Sequence, residues 1–109
     1  MSQTHGGLAV DVATDAAGAT VTVAGDLDLA SAQHFMDRTM PVPEHSHGSE
    51  LTVDLAAVRF CDSAGIFALI KLRQQCDEQG WRLRMINLQP ALRRVVVDLS
   101  GLGDYLNVQ

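Results

Sequence analysis

At 109 residues, 47% hydrophobic and 19% charged, the chain is long enough for one domain with a single core and too short for two of ordinary size. That balance excludes the apolar-poor, highly charged composition of a disordered chain. A formal net charge of -5 argues against direct nucleic-acid binding, which leans on clustered Lys and Arg; the pairs Arg82/Arg84 and Arg93/Arg94 fall within strand-like and helix-like segments and read as solvated faces.

The N-terminal MSQTHGGLAV lacks the basic start and long apolar block of a secretory signal, and no apolar run approaches membrane-spanning length, so a cytoplasmic protein with no membrane contact is expected. Leu8, Val10 and Val12 alternate with Ala9, Asp11 and Ala13. After a break at Asp15 to Gly18, ATVTVAG alternates again through Val21 and Val23, and two strands joined as a hairpin are predicted. Gly25 ends the second strand. In GDLDLASAQHFMDRTM, Asp28 is placed to cap a helix whose apolar positions Leu29, Ala32, Phe35, Met36 and Met40 recur at helical spacing, and Pro41 and Pro43 stop it. PVPEHSHGSE reads as an exposed loop. Its His45 and His47 have no Cys or carboxylate at ligand spacing, so no metal site is expected.

LTVDL, with Val53 between two leucines, reads as a short buried strand, and a helix follows from Ser63 to about Gln79, capped by Gly80. WRLRMINL alternates Trp81, Leu83 and Met85 against Arg82 and Arg84, the pattern of another strand. Pro90 opens a last helix with Leu92, Val95, Val96 and Leu99 on one side, ending at Gly101. Cys61 and Cys76 are too few and too far apart for a disulfide framework, and partly buried free thiols are expected. The order β-β-α-β-α-β-α predicts an α/β domain, a mixed β-sheet covered by α-helices, with parallel right-handed crossovers in its second half.

The chemistry concentrates in RFCDSAGIFALIKL. At helical spacing Ile66, Leu69, Ile70, Leu72 and Cys76 form one broad arc that faces the sheet, with Arg73 snorkelling along it. Ala64, Phe67, Ala68 and Lys71 recur at i, i+3, i+4 and i+7 nearly opposite, an outward stripe around one aromatic ring. Ser63 lies one turn before Phe67 on that side. Asp62 and Ser63 are both favoured helix caps, so a purely structural role is open to them. As a nucleophile Ser63 has no GxSxG setting and no histidine tied to it by spacing, which leaves a serine hydrolase as the weakest alternative. A helix N-terminus flanked by Ala64 and Gly65 does accommodate a phosphate.

LTVDLAAVRFCDSAGIFALIKL resembles the hallmark of STAS-domain proteins, specifically the single-domain anti-sigma factor antagonists (anti-anti-sigma factors), whose motif is a strand, a short link and Asp-Ser-(Ser/Ala)-Gly opening a helix. GDLDLASAQHF looks like the family's earlier Gly-x-Leu-Asp signature, and WRLRMINLQPALRRVVVDLSGL is similar to its closing strand and helix. The resemblance implies a single STAS-like domain over residues 1–109, with its core at about 8–106, acting as a protein switch and not as an enzyme, with no cofactor. It implies an anti-sigma factor serine kinase of the GHKL type as partner: the unphosphorylated antagonist binds the kinase and releases a sigma factor, phosphorylation at Ser63 switches binding off, and a serine phosphatase is a further partner. Asp62 matches the acidic neighbour of the acceptor, and Asp28 matches the Asp of the earlier signature, a position implicated in the phosphorylation site. Ala64 replaces the second Ser of the commonest motif and removes an alternative acceptor. The expected partner-binding set is Asp28, Asp62, Ala64, Gly65, Phe67, Ala68 and Lys71. The alternative is an accessory or sensor STAS module that docks on a transporter ATPase, or binds a nucleotide or lipid, with Ser63 unmodified.

Overall fold

A computed structural model describes residues 3–109. Five strands form one mixed sheet in the spatial order β1-β2-β3-β4-β5: Gln3–His5, Leu8–Thr14, Gly18–Leu27, Glu50–Cys61 and Arg82–Ile86. The first two pairings are antiparallel, and β3·β4 and β4·β5 are parallel, as the alternation of strand and helix predicts for the second half. The predicted hairpin is β2–β3. Its turn closes on Asp15, whose carboxylate accepts the amides of Ala17 (2.8 Å) and Gly18 (3.0 Å).

β1 was not foreseen. It pairs with β2 through a two-residue turn in which Gly6 (φ 60°) and Gly7 (φ 81°) both take the left-handed conformation that such a hairpin demands. Gly-Gly in front of an alternating run was the signal for it.

Register sorts the side chains. Val21, Val53 and Met85 stand side by side across three strands, as do Ala19, Leu51 and Leu83, while Thr20, Thr52 and Arg84 share the other face. The apolar face, extended by Leu8, Val10 and Val23, is the floor of the core. Two crossover helices roof it: α1 (Ala32–Thr39), through Ala32 and Phe35, and α3 (Ser63–Glu78), through Ala68, Leu69, Leu72 and Cys76.

Four expectations are corrected. Asp28 does not cap α1: the helix begins three residues later behind Ser31, and Leu29, expected on its buried side, lies outside it at 81% exposure. Pro41 and Pro43 redirect the chain instead of ending helical structure, because Pro41 has no N–H to leave unpaired at the start of α2 (Pro41–His45), whose Val42 and Pro43 are buried. The strand at LTVDL continues to Cys61 with two extra residues on the β4 side of its ladder to β3; Asp54 Oδ1 accepts the amide of Ala56 (3.0 Å) at the first irregularity. The last helix, α4 (Pro90–Arg93), widens into a π-helical turn over Arg94–Leu99. The wider turn rotates Leu99 off the stripe of Leu92 and Val96, which stay buried, and leaves it 72% exposed. The chain then returns to bridge Val108 to Met85 in parallel, which adds Leu106 to the core.

Candidate functional site

The end of β4 delivers Cys61 to the core and places Asp62 at the N-cap of α3 in extended conformation. Asp62 Oδ1 accepts the amide of Gly65 at 3.0 Å, and its backbone carbonyl accepts that of Ile66 at 2.9 Å. Ser63 is therefore the first residue of α3. It is exposed, and the amides of Ser63 and Ala64 belong to the helix-start donors that have no partner within the helix. The Asp62 amide itself donates to Leu27 O (3.3 Å), which joins the start of α3 to the end of β3.

Gly65 is buried because α3 crosses β3 at very short range. A Cβ here would lie 2.2 Å from Leu27 O, 2.8 Å from Cys61 Sγ and 3.0 Å from Leu27 C. Close approach in the first turn rotates the helix relative to the predicted arcs. Its inner stripe is Gly65, Ala68, Leu69, Leu72 and Cys76, with Ile66 and Ile70 only half-buried. Gly65 and Ala68 were both expected among the residues a partner would touch; the structure turns both inward, Ala68 to 0% exposure, since the smallest side chains are the ones that fit against the sheet. Ala64 is half-buried, Phe67 is 48% exposed and Lys71 is exposed, with its ammonium 5.3 Å from the Phe67 ring centroid.

What stands opposite this narrower stripe is α1. Ser63, Ala64 and Phe67 line a shallow depression of about 520 Å³ with Leu29, Gln33 and Met36. Phe67 and Lys71 line a second, of about 510 Å³, with Met36, Asp37, Met40 and Pro41. The two share Gln33, Met36 and Phe67, so they form one groove between α1 and α3 that starts at Ser63. Apolar surface lines it, and Asp37 and Lys71 mark its far end. Leu29, Met36 and Met40 are apolar positions that the helical spacing picks out; the structure leaves Met36 and Met40 half-buried and Leu29 exposed, and all three line this groove.

Asp28 is half-buried in the turn that carries Leu29. Its Oδ1 accepts the amide of Ala30 (3.0 Å), and the hydroxyl of buried Ser31 accepts the Asp28 amide (3.0 Å) while donating to Asp26 O (2.7 Å). Asp28 thus shapes the rim beside the groove without lining it. Arg59, exposed, reaches Asp26 at 3.6 Å. Beneath the site the Cys61 thiol is pushed up to about 12 by burial and, after that, by the charge of Asp62. Both cysteines are free and buried.

The site thus sets an exposed serine hydroxyl at the head of a helix, beside an apolar groove, with the neighbouring carboxylate capping that helix. The chain belongs to the STAS-domain family: the family model described as "Mlab, STAS domain" matches residues 10–107. The anti-sigma-B factor antagonist of Bacillus subtilis is 29% identical over 99 residues, 91% of this chain and 88% of that protein. The anti-sigma factor antagonist SpoIIAA in its unphosphorylated form superposes with a TM-score of 0.76 at 16% identity, covering 92% of this chain and 87% of SpoIIAA. The same fold is carried by the murine anion transporter Solute Carrier 26 family member A9 (TM-score 0.73, 23% identity), where 88% of this chain corresponds to 17% of the transporter. Among the described residues no helix is long and apolar enough to cross a membrane.

Proposed function

We propose that the chain is an anti-sigma factor antagonist: unphosphorylated, it docks through the α1–α3 groove on an anti-sigma factor serine kinase of the GHKL type, and phosphorylation of Ser63 ends the complex. The observation that carries this function is the position of Ser63, exposed at the first residue of α3 on the rim of the depression that holds Leu29, Met36 and Phe67. Phosphoryl transfer from ATP joins Ser63 Oγ to the γ-phosphorus, releases ADP and frees the hydroxyl proton. It adds about -1.5 to -2 charges, three acceptor oxygens and no strain, since a helix N-terminus favours an anion by about 0.3–1 kcal/mol. The same dianion stands beside Asp62 and at the edge of an apolar contact, where repulsion and desolvation oppose docking. A net loss of about 1.4 kcal/mol weakens the complex tenfold. Phe67 and Lys71 serve as contacts, Ala64 as the small residue that lets a partner approach Ser63, and Asp28 as a shaper of the rim.

The test incubates the protein with purified GHKL-type serine kinases and ATP, locates phosphate by mass spectrometry of the peptide containing Ser63, and measures affinity by calorimetry. Ser63→Ala is expected to bind like the unmodified protein, and the phosphorylated form and Ser63→Glu at least about tenfold more weakly. Equal affinity of the modified and unmodified forms rules the switch out. Docking on a transporter ATPase with Ser63 unmodified then becomes the better account.

A further inference from the structure

Leu29 combines two properties that rarely go together. Its side chain is 81% exposed, the most open of the large apolar residues described, yet its backbone is tied down across the fold. The Leu29 amide donates to Asp62 Oδ2 at 3.2 Å, from 33 residues away, while the other oxygen of that carboxylate holds Gly65. On the near side the Asp28 carbonyl accepts the amides of Ser31 (3.1 Å) and Ala32 (2.8 Å), so the segment is a closed turn. Burial cannot be the reason for fixing a leucine that packs on so little of its own chain. The turn is held where Leu29, Ser63, Ala64 and Phe67 line one depression.

We propose that Leu29 is a second apolar anchor of the kinase-docking surface, inserted beside Phe67, and that Asp62 is the positioning residue that holds it there. This deepens the proposed function and rests on it. The partner surface it fits is an apolar pocket wide enough for a leucine and an aromatic ring, facing Ser63. Asp62 thereby acts through geometry: one carboxylate registers the β3–α1 turn against the head of α3, so the anchor and the hydroxyl keep a constant separation.

The chemistry of a carboxamide separates this role from helix capping. Both oxygens of Asp62 accept, one from each element, whereas Asn offers a single acceptor and an NH₂ group. Asn caps helices as well as Asp, so Asp62→Asn keeps the bond to Gly65 and turns a donor toward the Leu29 amide, which loses its acceptor. In Asp62→Asn, amide hydrogen exchange at Leu29 is expected to accelerate about tenfold or more while the amides of Leu69 and Leu72 and the melting temperature stay close to wild type. Affinity for the kinase that modifies Ser63 should fall about tenfold in both Asp62→Asn and Leu29→Ala, and the double variant should lose no more than the weaker single one. Unchanged Leu29 exchange in Asp62→Asn overturns the positioning role. Wild-type kinase affinity in Leu29→Ala, or losses that add in the double variant, overturn the anchor. If no kinase modifies Ser63, the docking function falls and the anchor with it, while the exchange measurement still decides whether Asp62 holds the turn.

Discussion

Replacing Gly65 by Ala tests whether the close crossing of α3 over β3 sets the site. Relieving a Cβ at 2.2 Å from Leu27 O, where ordinary contact begins at 3.4 Å, requires α3 to withdraw by roughly 1 Å. The obstacle is a backbone carbonyl that also accepts the Asp62 amide, so no side-chain rotation relieves it. A gap of that size beneath Ala68, Leu69 and Leu72 forfeits about a quarter to a half of each contact's dispersion energy, and overpacking of this kind costs about 1–3 kcal/mol. Ala returns about 1 kcal/mol at most through helix propensity. Because the obstacle is backbone, the cost falls at the upper end of that range, about 2–3 kcal/mol, so the net loss is about 1–2 kcal/mol, equivalent to a fall in melting temperature of roughly 5–15 °C in a domain of this size. Gly80→Ala is the control. Gly80 caps the far end of the same helix at φ 73° with open space around its Cα, so only the left-handed backbone conformation is taxed, by about 1 kcal/mol. Thermal denaturation followed by circular dichroism reads both. A Gly65→Ala protein that melts within about 2 °C of wild type would show that α3 has room to spare and that the inner stripe is not held by this contact.

Phe67→Ala is expected to change the melting temperature by no more than about 3 °C, because the ring is half-exposed on the groove and outside the buried core, while weakening kinase binding about tenfold or more. A collapse in stability would assign Phe67 to the core. Cys61 and Cys76, both pushed up to about 12 chiefly by burial, remain thiols in the folded protein when an unfolded chain has begun to ionise, so the unfolded state releases protons first. Their contribution to stability is whole below about pH 8.5 and drains away as the pH climbs toward 12. Denaturant titrations from pH 8 to 11 should show the decline, and iodoacetamide at pH 8 should label both only after unfolding; rapid labelling of the native protein would contradict the burial.

Much of this was legible along the chain, and the omissions have a common cause. The β2–β3 hairpin, the start of α3 at Ser63, the alternation of Trp81, Leu83 and Met85 and the proline at the head of α4 each depend on local patterning, which a linear sequence displays directly. Ala68 and Gly65 were misplaced because a helix that is apolar on several sides has no unique inner face by periodicity. Which face turns inward is decided by how closely the backbone can approach Leu27, and that favours the smallest residues. Leu29 was misread for a related reason: helical spacing counts positions and cannot register that Asp28 closes a turn before the helix begins. Leu99 fell to a change of pitch within one helix. The groove lay beyond a one-dimensional reading because most of its lining comes from α1 and the residues flanking it, about thirty residues before α3 in the chain.

The short crossing at Gly65 also governs what kind of enzyme can reach Ser63. Many kinases thread an extended, pliable strand of substrate through their cleft, but here the serine sits in the first turn of a sixteen-residue helix clamped to a sheet. An enzyme that modifies it must recognise topography, reading α1 and α3 together, and must bring its own nucleotide to a hydroxyl that will not leave the fold to meet it.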